Sequence, residues 1–193
     1  MEKPTYQRVL LKISGEALAG APGRGIDFAF ARQVCQVVQD CVRHGVQVGL
    51  VVGGGNFWRG VKDGGGRMER ARADQMGMLA TVINSLALQD VLEQLGQPAR
   101  VLTSIPMGPV GEIHSQPAAD RYLREGKVVL FAGGTGNPYF STDTAAVLRA
   151  AEIQADMILL AKNIDGVYSA DPKKDPGAVK YDAMTRSWPT TCR

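Results

Sequence analysis

The chain lacks the cysteine and histidine patterns that mark disulfide-rich or metal-binding proteins. Its 193 residues include only three cysteines, with no CxxC pair, and two histidines, His44 and His114. Cys35 and Cys41 lie six apart on a predicted helix, and Cys192 is close to the end of the sequence. These spacings fit neither a disulfide framework nor a zinc site, so we expect the thiols to be structural or incidental.

Long hydrophobic runs and strong charge of either sign are also missing. The net charge is only +3, and the basic residues are scattered, which does not favour a nucleic-acid partner. No apolar stretch approaches the length of a membrane span or a signal sequence. The sequence therefore predicts a cytoplasmic protein without a nucleic-acid or membrane partner, of a size that fits one large α/β domain or two small lobes.

Glycine, by contrast, is concentrated at unusual places. In "VGLVVGGGNFWRG" three consecutive glycines follow a strand-like apolar run, where they cost backbone entropy and add nothing to a core. Exposed backbone N–H groups in such a turn can bind phosphate oxygens. Neither G-x-x-x-x-G-K-[ST] nor G-x-G-x-x-G fits this turn or the later "AGGTGNPYFSTD". A P-loop kinase and a dinucleotide dehydrogenase are both disfavoured.

Apolar strand patterns alternate with helical patterns along the whole chain. The predicted strands are 8–14, 46–52, 99–104, 127–134 and 156–162. The predicted helices are 28–45, 70–95, 118–126 and 141–154. The second of these helices has apolar residues at three-and-four spacing: Met76, Leu79, Ile83 and Leu86. Continuously apolar strands separated by helices indicate a parallel sheet covered on both faces.

Four of the predicted strands end in polar or glycine-rich loops, which would gather at one edge of the sheet. Ligands of open α/β sheets bind at that edge. Lys12 is one residue from the end of an apolar strand, where an unpaired ammonium is rarely tolerated, so we favour a functional role over a surface lysine. A compact positive charge at this point suits a polyphosphate. Arg59 could bind phosphate oxygens or could be a solvated loop residue.

Five segments together resemble the bacterial uridylate (UMP) kinase family of the amino acid kinase superfamily. They are "LLKISGEAL", "VVGGGNFWRG", "ARADQMGMLATVINSLALQD", "AGGTGNPYFSTDTAA" and "KNIDGVYSADP", and the resemblance runs from Tyr6 to Tyr181. It implies a three-layer αβα sandwich with a mostly parallel central sheet, as a single domain over residues 1–193. The acceptor half would be roughly 1–150 and the ATP-side half roughly 151–193. The implied reaction transfers the γ-phosphoryl group of ATP to UMP, with Mg²⁺.

The resemblance also implies roles for individual residues on the ATP side. The expected ATP-binding residues are Lys12, Ile13, Ser14, Gly15, Gly55, Arg59, Asn163, Tyr168 and Asp171. Lys12 and Asp143 are the expected catalytic residues. Asp143 would hold the metal, or else is an early-helix carboxylate; the direct Mg²⁺ ligands are not identified by the sequence. Tyr168 could equally be a core residue.

The acceptor and regulatory sites are implied in the same way. The expected UMP-binding residues are Gly54, Asp74, Thr135, Gly136, Asn137, Pro138, Tyr139, Phe140, Ser141 and Thr142. Outside its motif, Asp74 would fit a carboxylate that favours a helix dipole. A segment tied in the family to GTP activation matches Gly20, Ala21, Pro22, Gly23, Arg24 and Gly25, which otherwise form only a flexible loop. Inhibition by UTP and a homohexamer are also implied.

The end of the sequence departs from the family pattern. After "VKYDAMT" the residues "RSWPTTCR" show no strand or helix period, so we expect the ATP-side half to be incomplete at its C-terminus, with an open hydrophobic sheet edge. Two other functions stay open at this point. One is a superfamily kinase with another acceptor, such as a carbamate or amino acid. The other is a nucleotide-binding protein with impaired turnover.

Overall fold

The structure, a computed structural model, describes residues 4–21, 23–59, 63–64, 66–161 and 166–183. Contacts between residues divide the chain into two compact units, Met1–Ala161 and Lys162–Arg193. Each unit is described by itself. The first contains the large sheet and its helices, and the second contains a small two-stranded sheet.

The first unit is built on a six-stranded parallel sheet. Its strands are β1 (Arg8–Ile13), β2 (Gln47–Val52), β3 (Ala99–Thr103), β4 (Glu112–Ile113), β5 (Val128–Ala132) and β6 (Met157–Ala161). They lie in the order β4-β3-β5-β2-β1-β6, and every neighbouring pair is parallel. The helices are α1 (Gly15–Leu18), α2 (Phe28–Arg43), α3 (Arg70–Gln94), α4 (Gln116–Arg124) and α5 (Thr142–Glu152). The five predicted strands and four predicted helices are all present, and α1 and β4 are additional.

Helices cover both faces of this sheet, which confirms the three-layer αβα prediction. On one face, Leu50 of β2 packs with Val38 of α2 and Leu88 of α3 in one apolar cluster. On the other face, Val51 of β2 and Leu123 of α4 belong to a second cluster that also contains α5 residues. The alternating side chains of one strand thus enter two different cores, which is why the strands are apolar throughout rather than at every second position.

The long helix α3 does not bury the apolar face that its spacing marks. Met76, Leu79, Ile83 and Leu86 are 39, 45, 48 and 37% exposed. The side turned to the sheet instead carries small residues in its first half, among them Ala73, Ala80, Thr81 and Ser85. Small residues are needed there because α3 passes so close to the turn after β2 that a Cβ on Gly54 would lie 2.8 Å from the Ala80 Cβ. The first unit therefore presents an apolar stripe on the outside of α3.

Two of the three thiols lie among the described residues. Cys35 on α2 is buried and free, and burial raises the pKa of its thiol to about 12. Cys41 is partly buried and also free. Cys192 lies outside the described residues. Among the described residues no helix is long and apolar enough to cross a membrane, and no group of three or more metal-ligating side chains gathers in one place.

The second unit contains an antiparallel pair, β7 (Val167–Tyr168) and β8 (Lys180–Tyr181). The backbone N–H of Ser169 donates to the Val179 carbonyl at 2.9 Å and extends the pairing by one step. Asp171 organises the turn between the strands, because its carbonyl accepts from the N–H groups of Lys174 and Asp175 at 2.9 and 2.8 Å. Its side chain accepts from the N–H of Lys173.

Candidate active site

The end of β1 carries a buried lysine paired with a carboxylate. Lys12 is only 9% exposed, and its Nζ lies 2.9 Å from Oδ1 of Asp143. Asp143 occupies the first turn of α5, whose N-cap Ser141 accepts a hydrogen bond from the Thr144 N–H. A negative charge at that point also favours the helix dipole. The pair places an ammonium and a carboxylate together at the carboxyl edge of the sheet.

Gly53 and Gly54, directly after β2, are closely packed, and a Cβ on Gly53 would lie 3.1 Å from the backbone nitrogen of Gly15. A Cβ on Gly15, which follows β1, would collide with the Gly53 carbonyl oxygen. A Cβ on Gly54 would lie 2.8 Å from both the Ala80 Cβ and the Gly77 carbonyl oxygen of α3. Gly55 has more room, since its nearest neighbour would be the Nε of Arg59 at 3.5 Å. We call residues 53–56 the glycine turn.

A buried amide pair fixes the glycine turn. Asn56 and Asn84 are 2% and 0% exposed, and each Nδ2 donates to the other's Oδ1, at 2.9 and 2.7 Å. Asn84 also donates to the Gly53 carbonyl at 2.7 Å, and Asn56 donates to the Gly25 carbonyl at 2.7 Å. Because these buried polar groups are paired, the turn is held without an apolar side chain of its own.

The loop after β5, residues 133–140, has a different construction, and we call it the β5 loop. Gly133, Gly134 and Gly136 have φ values of 77°, 61° and 82°, which glycine adopts without strain. Tyr139 also has a positive φ, 71°, although its side chain is 67% exposed and buries little. A non-glycine residue in this conformation is strained and is held by its surroundings. The holding contact is a 2.9 Å hydrogen bond from the Tyr139 N–H to Oδ2 of Asp74.

Asp74 on α3 therefore meets the β5 loop directly. Its two oxygens also accept from Nε of Arg70, at 2.9 and 2.8 Å, and its side chain is 16% exposed. The Arg70 guanidinium stands 5.6 Å from the centre of the Tyr139 ring. Sequence reasoning missed Arg70, although its position four residues before Asp74 on a helix is a signal for such a pair.

These elements enclose a cavity of about 290 Å³. Nine of the residues expected at the site line it: Gly54, Gly55, Arg59, Asp74, Thr135, Asn137, Phe140, Ser141 and Thr142. Five lining residues were not expected: Trp58, Gly77, Met78, Thr81 and Gly134. Three of these follow Asp74 on one face of α3, so helical spacing alone could have found them. Gly136, Pro138 and Tyr139 belong to the β5 loop without lining the cavity.

A second cavity, of about 300 Å³, adjoins the first at Gly55 and Arg59. Gly23 and Arg24, from the segment expected to respond to GTP, also line it. Arg59 forms an ion pair with Glu16 of α1 and is 40% exposed, so its guanidinium faces both cavities from a partly solvated position. Gly20, Gly23 and Gly25 all have positive φ, and Ala21 is exposed among them.

The remaining predicted residues fall elsewhere. Ile13 is buried at the end of β1, and Ser14 links it to Gly15. Tyr168 and Asp171 belong to the second unit, in β7 and in the turn after it. Pro22 and Asn163 lie outside the described residues.

Comparison with known proteins gives a consistent family. Residues 7–188 match the model of the amino acid kinase family. The UMP kinase from Bacillus anthracis is 39% identical, with a TM-score of 0.85 over 91% of this chain and 73% of that one. The UMP kinase from Ureaplasma parvum is 38% identical, with a TM-score of 0.84 over 94% and 76% of the two chains. An isopentenyl phosphate kinase has the same fold at 19% identity, with a TM-score of 0.62 over 90% and 76%.

Proposed function

The chain belongs to the amino acid kinase family, and we propose that it phosphorylates UMP to UDP with ATP in pyrimidine nucleotide biosynthesis. Family membership makes it a phosphate-transferring kinase; the acceptor is our proposal. The observation that carries it is the cavity between the glycine turn and the β5 loop. That cavity has the carboxylate of Asp74 on one side and Thr142, next to the Lys12–Asp143 pair, on another.

The lining of the cavity suits a nucleoside monophosphate better than an amino acid or a carbamate. The Asp74 carboxylate can accept hydrogen bonds from two ribose hydroxyls, a geometry that carboxylates favour. Thr135, Asn137 and Thr142 supply hydroxyl and amide groups that can donate to phosphate or to a base edge. The two structural neighbours near 39% identity are UMP kinases, which supports the same acceptor.

In the proposed reaction an oxygen of the UMP phosphate attacks the γ-phosphorus of ATP. A bond forms between that oxygen and the γ-phosphorus, the bond to the β–γ bridging oxygen breaks, and ADP leaves. The attacking oxygen is already anionic, so no general base is required. Alignment and neutralisation of charge would supply the catalysis, and Lys12 would neutralise charge on the transferring group. Burial strengthens this effect, because the ammonium is little screened by water.

Mg²⁺ entering with ATP would neutralise further charge on the phosphates. The residues present fit such an ion, because ATP phosphates usually provide most Mg²⁺ ligands and a protein often adds one or two carboxylates. Asp143 would be that carboxylate, directly or through water. The ammonium of Lys12, 2.9 Å from Asp143, would then also orient the carboxylate that would hold the metal.

The ATP-side roles of Ser14, Gly15, Gly55, Arg59, Asn163, Tyr168 and Asp171 are part of the same proposal. So are GTP activation through residues 20–25, inhibition by UTP and a cytoplasmic location.

We also propose a homo-oligomer, for which the apolar stripe of Met76, Leu79, Ile83 and Leu86 on α3 offers a surface. Light scattering on Ile83→Glu should show a smaller mass than the wild type. Val147→Glu, at a 58% exposed site on α5, is the matched control and should keep the wild-type mass.

A panel of acceptors tests the proposal. ADP release from ATP is measured with UMP, CMP, dUMP, AMP, acetylglutamate, carbamate and isopentenyl phosphate, and without acceptor. UMP should exceed CMP in kcat/KM by at least about 100-fold, because a site built to hydrogen-bond uracil leaves its polar groups unpaired against cytosine. Equal turnover of UMP and CMP would contradict the proposal. Binding of nucleotides without ADP release would favour the impaired-turnover alternative.

A further inference from the structure

The β5 loop is held from beneath by a hydroxyl that does not line the cavity. Ser104, directly after β3, donates from Oγ to the Gly134 carbonyl at 2.8 Å. Gly134 lines the cavity, and so does the next residue, Thr135. The backbone N–H of Gly133 is fixed separately, by a 2.9 Å hydrogen bond to Thr81. The first two residues of the loop are therefore each held by one hydrogen bond, Gly133 through its N–H and Gly134 through its carbonyl.

Behind Ser104 lies a buried arginine. Arg149 on α5 is 4% exposed, and its Nη2 donates to the Ser104 Oγ at 2.8 Å and, more weakly, to the Gly134 carbonyl at 3.4 Å. The Ser104 hydroxyl thus accepts from arginine and donates to the loop. Because the Ser104 oxygen accepts a hydrogen bond from Arg149, its proton is directed toward the Gly134 carbonyl. This hydrogen bond favours one position of that carbonyl.

The charge of Arg149 is balanced within the same helix. Its Nη1 donates to Oε2 of Glu152 at 2.6 Å, and that oxygen also lies 2.9 Å from Nε2 of His114. Burial alone would raise the pKa of Glu152, but the hydrogen bonds and charges of Arg149 and His114 together outweigh it and lower the pKa. Glu152 is therefore an anion facing a cation. We call Ser104, His114, Arg149 and Glu152 the Arg149 network.

A buried guanidinium is costly unless its donors are used, and apolar residues would tie α5 to the sheet at least as well. Only Nη2 of Arg149 donates on the loop side; Nη1 donates to Glu152, and Nε has no hydrogen-bond partner among the described residues. We propose that Arg149 is a positioning residue that fixes the Gly134 carbonyl through Ser104. The position of this carbonyl then sets the affinity of the cavity for the acceptor. This inference rests on the proposed function, since it assigns the acceptor to this cavity.

A purely structural role for Arg149 makes a different prediction. If the network only stabilised the fold, variants would melt earlier while the folded enzyme kept its kinetic constants. If it positions the loop, the KM for the acceptor rises and the KM for ATP does not. Kinetics are therefore measured well below the melting temperature of each variant, with the melting temperature recorded beside them.

The experiment is a double-mutant cycle of Ser104→Ala and Arg149→Lys in the full chain. Lysine keeps the positive charge but lacks the planar guanidinium, so it cannot donate to Ser104 and Glu152 at the same time. Each single variant should raise the KM for UMP by about 10-fold, because small misplacements are costly in group transfer. The ATP KM should stay within about twofold of the wild type. The double variant should be no worse than the poorer single variant, since both break one chain of contacts.

Ser85→Ala is the matched control. Ser85 is a fully buried serine, and its Oγ donates to the Thr81 carbonyl within α3. It should leave the UMP KM unchanged. A wild-type UMP KM in Ser104→Ala, or additive effects in the cycle, would overturn the inference while the proposed function stands. If the wild type uses another acceptor, the proposed function fails and the same cycle with that acceptor decides the inference. A wild type that uses no acceptor overturns both.

Discussion

The glycine turn and the β5 loop, which line the cavity of about 290 Å³ from two sides, are held in different ways. The glycine turn is packed directly against α3 and locked by the reciprocal Asn56–Asn84 amide pair, with no space for a Cβ on Gly54. The β5 loop has three glycines with positive φ, a strained Tyr139 and an exposed Phe140. It is held by single hydrogen bonds: its N–H groups donate to Thr81 and Asp74, and Ser104 donates to its Gly134 carbonyl.

This difference indicates separate tasks. A turn fixed by steric contact cannot adapt, so it can present its backbone to a phosphate group at a constant distance. A loop held by a few polar contacts can exchange one of them for a ligand. In the proposed function, the hydrogen bond from the Tyr139 N–H to Asp74 is the one that is exchanged, because the same carboxylate is expected to bind the ribose. Substitutions in the turn should therefore affect stability, and substitutions around the loop should affect the acceptor.

The largest effect is expected at Lys12, whose partner Asp143 directly follows the cavity-lining Ser141 and Thr142. Lys12→Ala should lower kcat by about 100-fold or more, since removing one preorganised group that stabilises developing charge typically costs that much. The UMP KM should change little. Asp143, the partner left behind, is 45% exposed and can be solvated, so the fold should survive. Steady-state kinetics in UMP and ATP measure both constants.

The matched control is Lys127→Ala. Lys127 also forms an ion pair, with Glu125 at 2.5 Å, but just before β5, at the opposite end of the sheet from the cavity. It should keep kcat near the wild-type value. Full activity in Lys12→Ala would remove the proposed catalytic role of this lysine.

The next effect tests the rigidity of the glycine turn. Gly54→Ala places a methyl group 2.8 Å from the Ala80 Cβ and the Gly77 carbonyl, which forces α3 or the turn to move. Overpacking of this kind destabilises by roughly 1–3 kcal/mol, so urea unfolding should show a loss of that size. Gly108→Ala is the control, because nothing lies within 4 Å of its added Cβ and its φ is ordinary. Equal stability of the two variants would show that the turn adapts after all.

Local signals in the sequence predicted the fold and much of the cavity. The apolar runs specified the strands, and the Ser141 cap marked the start of α5. The glycines and the buried lysine pointed to the carboxyl edge of the sheet, where the cavity between the glycine turn and the β5 loop lies. These signals are local because each depends on a few adjacent residues and on the period of one element.

What the sequence did not predict depends on distant partners. Asn56 and Asn84 are 28 residues apart, and Ser104 and Arg149 are 45 apart, so no local pattern links them. The orientation of α3 also escaped prediction. The three-and-four spacing of its large apolar residues says that they share a face, but not that the glycine turn requires small residues on the side facing the sheet.

A smaller effect should appear at the contact between α3 and the β5 loop. Asp74→Asn removes the charge that Arg70 and the Tyr139 N–H share, and also weakens the proposed ribose contact. The UMP KM should rise by about 10-fold, the scale of one hydrogen bond to a charged group, with little change in kcat. Asp90→Asn, an exposed residue on the same helix that accepts from Gln94, should leave the UMP KM unchanged. A loss confined to kcat would place Asp74 outside the acceptor site.

The smallest effect is expected from pH, through the network beneath the β5 loop. Burial, and then the positive charge of Arg149, lower the pKa of His114 from its usual 6.5, although Glu152 acts in the opposite direction. His114 also contacts the uncharged ring of Phe131 on β5. The folded protein thus takes up this proton at lower pH than the unfolded chain does. Stability from a neutral His114 is present above pH 6.5 and is lost as the pH falls through the folded pKa.

The melting temperature of the wild type should therefore fall more steeply than that of His114→Gln between pH 7.5 and 5.5, a window of about two pH units that spans the usual histidine range. His44→Gln, which replaces the only other histidine, should keep the wild-type slope. Parallel slopes for the wild type and His114→Gln in calorimetry would mean that the network carries no buried neutral histidine.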